Sequence, residues 1–256
     1  MGPSSVSPLH HVGNSISAAA CTFDNDGTLI DQERDHFAAL FETAAQHGVT
    51  LDLSTALREI PNFLGGGYDA TASYVSVCFH GRHDDAFVRT FCMRAADKFD
   101  RITKSKTLKP RPGAELFLEK LSSEKIPMAL ATVTPRERAM ERLSQSGLLR
   151  FFAPERILTR ESTKRIKPAP DIYLASAEAL RVAPKHQLVF EDSVVGVRSA
   201  VAAESPVIAV AAIDATAVLS DLGKAGALCV VTSWEDGALF QVVTQLLSIG
   251  RLVCSR

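Results

Sequence analysis

Short apolar runs recur along this chain, and stretches of helical period separate most of them. The runs are Ala18–Phe23, Pro127–Ala131, Arg156–Leu158, Leu188–Phe190, Val207–Val210 and Leu228–Val231. Helical patterns cover Ala114–Ser122, Arg136–Ser146, Asp171–Leu180 and Val194–Ala203. A strand buried on both faces reads as a continuous apolar run, and a return through a helix leaves it parallel to its neighbour. The alternation therefore predicts the α/β class, with βαβ units and a mostly parallel sheet. In such sheets ligands bind beyond the C-terminal ends of the strands.

One segment breaks the pattern. From about His36 to Lys106, Phe37, Leu40, Phe41 and Ala44 recur at helical spacing, as do Phe87, Val88, Phe91 and Ala95, with no buried strand among them. Polar residues Asp31–Asp35 precede this segment, and the basic, proline-containing Thr103–Pro112 follows it. The predicted organisation is a loose leader over residues 1–17, a Rossmann-like core over 18–33 and 107–256, and an α-helical cap over 34–106 inserted after the first strand.

Composition narrows the functional classes. The 256 residues are 46% hydrophobic and 22% charged, ordinary for a globular protein with a sizeable core. A net charge of −1 exerts no strong pull on nucleic acid or anionic lipid, so an anionic substrate must be attracted locally. Five cysteines, Cys21, Cys78, Cys92, Cys229 and Cys254, lie far apart with no C-x-x-C pair. That spacing argues against a disulfide framework or zinc site and for a reducing compartment. Met1–Ala20 has neither a basic start nor a continuous apolar stretch, so no secretory signal is expected. Pro3 and Val6 disfavour myristoylation at Gly2. The apolar region 207–231 is interrupted by Asp214, Asp221 and Lys224 and reads as buried elements, not a membrane span. The expected setting is cytoplasmic, without nucleic-acid or membrane partners.

Four polar clusters fall at strand ends or helix starts. Asp24-Asn-Asp-Gly-Thr28 follows the first strand, Thr132-Val-Thr134 the second run, and Glu191-Asp192-Ser193 the run Leu188–Phe190; Lys167-Pro-Ala-Pro-Asp171 opens a helix. A parallel sheet brings such ends to one edge. Several carboxylates in one partly desolvated pocket need a hard cation or raised pKa values, and oxygen ligands suit Mg²⁺. Lys167 and Thr132 are placed to neutralise and hydrogen-bond phosphate oxygens. Alone, D-x-D-G would be a solvated turn, Lys167 a surface lysine and Thr132 a helix N-cap.

In order, Phe23-Asp-Asn-Asp-Gly-Thr-Leu-Ile-Asp31, Ala131-Thr132, Ile166-Lys-Pro-Ala-Pro-Asp-Ile-Tyr173 and Phe190-Glu-Asp-Ser-Val-Val-Gly196 resemble the motifs of the haloacid dehalogenase-like phosphohydrolases. The resemblance is to the branch with a helical cap, which includes β-phosphoglucomutase and phosphoglycolate phosphatase. It covers about Ala19 to Val210. It implies Asp24 as nucleophile and Asp26 as general acid and base. It implies Mg²⁺ held by Asp24, the Asp26 carbonyl and Asp192, with Glu191 in support. Thr132, Lys167 and Gly27 would bind phosphate; Gly27 is also read as a turn glycine, and Thr28 as a loop support. His36, Gly66 in the Gly65-Gly-Gly67 turn, and Thr134 are candidates for substrate contact. A surface histidine, a helix-linking turn and a helix cap are the respective alternatives, and Arg136 is read as solvent-facing.

The expected substrate is a small phosphorylated metabolite, a sugar phosphate or phosphoglycolate-like ester. A sugar phosphomutase is the alternative, but mutase relatives depart from Thr28 and carry a lysine where Pro135 and Arg136 stand. A silent scaffold relative should have lost Asp24, Asp26, Lys167 or Asp192. Glu204-Ser205 departs from the Gly and large apolar residue of many relatives, which bears on loop geometry.

Overall fold

The structure, a computed structural model, describes residues 17–50, 52–59, 67–79 and 84–254. Gln32–Leu108 forms one compact unit, and the described residues on either side form the other. Only Ser17 of the expected leader lies among the described residues.

The chain opens with β1 (Ala20–Phe23) and passes into the helical unit, with α1 (Glu33–Ala45), α2 (Leu53–Glu59), α3 (Gly67–Cys78) and α4 (Asp85–Lys104). It returns through α5 (Ala114–Ser123), β2 (Met128–Ala131), α6 (Arg136–Gln145), β3 (Ile157–Leu158), α7 (Asp171–Leu180) and β4 (Gln187–Glu191). It ends with α8 (Val194–Ala202), β5 (Val207–Val210), α9 (Thr216–Lys224), β6 (Cys229–Val231) and α10 (Gly237–Cys254). The sheet is parallel in the order β3-β2-β1-β4-β5-β6. This is the α/β, Rossmann-like architecture expected. The order reverses between β1 and β4, and a crevice opens beyond strand ends at such a switch point.

Every residue of β1, β2, β4 and β5 is buried, which is why these strands read as runs without polar alternation. Behind the ends of β1 and β4, Phe23 stacks on Phe190 at 4.8 Å between ring centroids, and Phe117 and Trp234 close the cluster. Each such ring contributes about 1.5–3 kcal/mol on burial. The Trp234 indole N–H donates to the Thr28 carbonyl at 2.9 Å, so the core holds the loop after β1 directly.

Two buried polar devices fix the same region. Thr22, Ser176, Gln187 and Ser205 form one network, in which the Gln187 amide donates to the Tyr173 carbonyl at 2.6 Å and to Ser205 Oγ at 2.8 Å. Ser205 is thus a hydrogen-bond partner, which a large apolar side chain could not be. The Arg111 guanidinium donates to the carbonyls of Gly27 (2.7 Å), Val210 (2.8 Å) and Ala211 (2.7 Å), tying the loop after β1 to the end of β5.

In the helical unit, Phe37, Phe41, Tyr74 and Phe91 pack in a chain of ring contacts between α1, α3 and α4. The Asp84 carboxylate caps α4 by accepting from the Phe87 N–H at 2.7 Å. Among the described residues, no helix is long and apolar enough to cross a membrane.

Candidate active site

The Asp24 N–H donates to the Phe190 carbonyl at 3.0 Å, which carries the β1–β4 pairing one residue past the strand. That bond sets Asp24 beside Glu191 and Asp192, which end and follow β4. Carboxylate oxygens of the three lie within 4.8 Å of one another, and all three residues are buried.

Lys167, just before α7, answers this charge. Its ammonium donates to Asp24 Oδ1 at 2.7 Å, Glu191 Oε1 at 2.6 Å and the Ala131 carbonyl at 3.2 Å. Three acceptors match the three protons of an ammonium. The last of them seats Lys167 next to Thr132, at the end of β2.

Glu191 is the best-held carboxylate of the cluster. Oε1 also accepts from the Tyr173 hydroxyl at 2.7 Å. Oε2 accepts from the Asp192 N–H, the Ser193 N–H and the Ser193 hydroxyl at 3.0, 3.2 and 3.1 Å. It therefore orients Lys167. A Cβ at Gly196 would stand 1.8 Å from Glu191 Oε1, so the first turn of α8 tolerates only glycine there.

The two ends of the Lys167 bridge behave differently. Burial pushes the Asp24 carboxyl up and Lys167 opposes it, but Glu191, Asp192 and Asp26 add to the rise, which leaves it well above the usual range. Burial also acts against Glu191, yet Lys167 and the surrounding donors outweigh it and hold that carboxyl low. For Lys167, burial favours the neutral amine, and Asp24 and Glu191 overcome it, raising the pKa well above normal.

Asp192 Oδ1 accepts from the Thr28 hydroxyl at 2.8 Å. Gly27, at φ +89°, would place a Cβ 2.1 Å from Asp192 Oδ2. The Gly27 N–H donates to the Ile30 carbonyl at 2.8 Å. The positive φ and the close approach of Asp192 fit the turn-glycine reading of Gly27, whose own N–H is engaged within the loop.

Asp26 points to a different set of partners. Its Oδ2 accepts from the Thr134 hydroxyl at 2.5 Å and from Arg142 Nη1 on α6 at 2.8 Å, while Oδ1 accepts from the Asn25 amide at 3.0 Å. Arg142 was not among the sequence candidates. Thr132 is 1% exposed, and its Oγ1 accepts from the Thr134 N–H at 3.1 Å. Neither threonine caps α6, since the Glu161 carboxylate takes the Arg136 N–H. Arg136 is exposed, as expected, and its guanidinium also donates to the Ile157 carbonyl of β3 at 3.1 Å. His36 belongs to the helical unit, where its ring lies 5.6 Å from that of Phe99 and burial lowers its pKa. Gly66 lies outside the described residues.

The profile of the family described as haloacid dehalogenase-like hydrolase matches residues 21–210. The chain belongs to this family. Among its relatives is the phosphorylated carbohydrates phosphatase of Thermotoga maritima, to which this haloacid dehalogenase-like hydrolase is 33% identical over 71% of its own length and 79% of the relative's. Hexitol phosphatase A of Escherichia coli is 34% identical over 73% of this chain and 81% of that one. In fold, a HAD family hydrolase of Deinococcus radiodurans R1 superposes with a TM-score of 0.72 at 23% identity, covering 91% of this chain and 99% of that one. The expectation of an enzyme stands. As a haloacid dehalogenase-like hydrolase, the chain carries at Asp24, Glu191 and Asp192 an all-oxygen cluster able to hold a hard metal ion.

Proposed function

We propose that this chain is a Mg²⁺-dependent phosphatase that hydrolyses a small phosphomonoester, a sugar phosphate or a phosphoglycolate-like ester, through an aspartyl-phosphate on Asp24. The observation that carries the reading is the buried bridge from Lys167 to Asp24 and Glu191, with Asp192 beside it. A nucleophilic carboxylate, a cation for phosphate oxygens and spare acidic ligands are what phosphoryl transfer requires, since it depends mainly on positioning and charge neutralisation. The phosphatase names of the Thermotoga and Escherichia relatives support phosphorylated carbohydrates as the substrate class.

Asp24 and Asp192 would hold Mg²⁺ through carboxylate oxygens and Asp26 through its carbonyl. When bound, the ion neutralises charge on the phosphoryl oxygens and aligns them for in-line attack. An Asp24 oxygen bonds to phosphorus as the ester P–O bond breaks, and Asp26 gives its proton to the departing alkoxide. Asp26, now a carboxylate, takes a proton from water as the water oxygen bonds to phosphorus and the Asp24 O–P bond breaks. Lys167 and Thr132 hold phosphoryl oxygens through both steps. Substrate choice is assigned to the inserted cap over 34–106. A cytoplasmic setting agrees with four free cysteines among the described residues, Cys21, Cys78, Cys92 and Cys229.

The test is a screen of phosphorylated metabolites with and without Mg²⁺, run beside Asp24→Asn. Turnover should need the ion and vanish in the variant. Hydrolysis by Asp24→Asn at the parent rate would disprove the nucleophile.

A further inference from the structure

We propose that Arg142 is a positioning residue for the acid–base step, fixing the side chain of Asp26 toward the leaving group. The inference rests on the phosphatase reading above and deepens it. Asp24, Glu191 and Asp192 are held at strand ends, two of them by Lys167, but Asp26 lies two residues beyond Asp24 and its side chain is 24% exposed. A carboxylate so placed samples several rotamers unless something holds it. Two donors from outside its own loop do so, and both meet Oδ2: Thr134 Oγ1 at 2.5 Å and Arg142 Nη1 at 2.8 Å. Asn25 Nδ2 steadies Oδ1 at 3.0 Å from within the loop.

Arg142 is suited to this by its own setting. It sits on the buried face of α6 between Ala139 and Leu143, with its side chain 10% exposed. An arginine there costs desolvation that an apolar residue would avoid, and its charge-assisted bond to Asp26 offsets part of that cost. Thr134 reaches Asp26 from the turn before α6 and Arg142 from the second turn of the helix. Donors from the turn and from the helix on Oδ2, with Asn25 on Oδ1, together fix the carboxylate. Remove the guanidinium and only two neutral donors, the Thr134 hydroxyl and the Asn25 amide, remain to hold a partly exposed side chain.

The step that suffers is proton transfer from Asp26 to the alkoxide as the ester P–O bond breaks. A leaving group that departs as a stable anion needs no such proton. Arg142→Gln and Arg142→Lys should therefore be assayed by kcat/KM, which reports the steps up to departure of the leaving group, on sorbitol 6-phosphate and on p-nitrophenyl phosphate. For Arg142→Gln we expect a loss of about tenfold or more on the sugar ester and less than about threefold on the nitrophenyl ester, with Arg142→Lys recovering part of the loss. Equal losses on both esters, or none on either, overturn the inference, because a structural role would lower both together. Should the parent split neither ester, the phosphatase reading fails separately, and crystals of the parent and Arg142→Gln decide the matter. An Asp26 carboxylate that keeps its place in the variant refutes positioning by Arg142; one displaced from Thr134 upholds it.

Discussion

Replacing Lys167 by Met keeps the length and bulk of the side chain while removing its charge, so it isolates what the ammonium does. The group is 6% exposed and stands 2.7 and 2.6 Å from carboxylates that are themselves 10% and 1% exposed. Removing one partner of a buried ion pair costs about 3–5 kcal/mol, because a charge stays buried without compensation. The two carboxylates will share that cost unequally. Glu191 keeps the Tyr173 hydroxyl, two backbone N–H groups and the Ser193 hydroxyl, which suffice to hold it ionised. Asp24, already raised by burial and by its acidic neighbours, takes up a proton and escapes part of the penalty. The expected loss is therefore near the lower end, about 3 kcal/mol or about 6–12 °C in Tm, measured with chelator present. Turnover should fall by at least about 10²-fold, since a protonated Asp24 is no nucleophile and a phosphate donor is gone. Adding Glu191→Gln sets an amide NH2 against donors that the carboxylate accepts from, so it should lower stability further and restore none of the activity. Urea titrations of the parent and both variants supply the assay. A Lys167→Met protein as stable as the parent would show that the cluster is not electrostatically coupled.

Three further outcomes follow from the packing and the charges. Gly196→Ala puts a methyl against a Glu191 carboxylate held by five donors, so despite better helix propensity it should lose about 1–3 kcal/mol; a Tm equal to the parent's would contradict this. Glu204 sits at φ +60°, where a side chain costs about 1–2 kcal/mol, and Glu204→Gly should net about 0.5–1 kcal/mol after its greater unfolded-state entropy is counted. Thermal denaturation should then show a Tm raised by about 2 °C, and a lowered one would mean that the Glu204 side chain contributes contacts of its own. Burial lowers the pKa of His36, so the folded protein favours the neutral ring while the unfolded chain still binds a proton below about pH 6.5. The stability from this group is complete above that pH and is lost as pH falls through the folded value. The parent should therefore lose stability on acidification to about pH 5 more steeply than His36→Phe, and parallel pH profiles would exclude the group.

The strands were legible because parallel strands covered on both faces are mostly apolar, with only Thr22, Gln187 and Glu191 as buried polar exceptions in β1 and β4. Where that signal thins, so does the reading. β3 is only Ile157–Leu158, and the sheet identifies it by the pairing of Leu130 with Ile157. α10 went unread although Leu239, Val243, Leu246 and Leu247 are buried at helical spacing, because the apolar character of the C-terminal region blurs any polar face. The acidic cluster was legible because its members sit at strand ends, where topology alone predicts convergence. Arg142 was not. Nothing in the sequence separates it from Arg136 and Arg138, and only the approach of α6 to the loop after β1 selects it. Arg111 and the Gln187–Ser205 bond share this character, being polar groups whose partners lie far along the chain. The crowding at Gly27 was hidden for a related reason: the pattern shows that a glycine is needed but not that Asp192 is the neighbour that crowds it.

The balance of charge in the site constrains the order in which it can fill. Asp24, Glu191 and Asp192 bring three buried carboxylates together, two of them sharing the ammonium of Lys167, while Asp26 is paired with Arg142. If all three are ionised, an excess of negative charge remains in a place that water reaches poorly. A phosphomonoester dianion approaching that excess would meet repulsion undiminished by solvent. On the proposed reading a bound cation would reduce that excess and ease the approach of the dianion, with Lys167 able to turn from Asp24 toward a phosphoryl oxygen. On that same reading the cation therefore binds before the ester. The same count explains why Glu191 is so heavily hydrogen-bonded. It must remain ionised beside Lys167 whether or not the metal is there, because without it the lysine would be free to pair with Asp24 alone and quench the nucleophile.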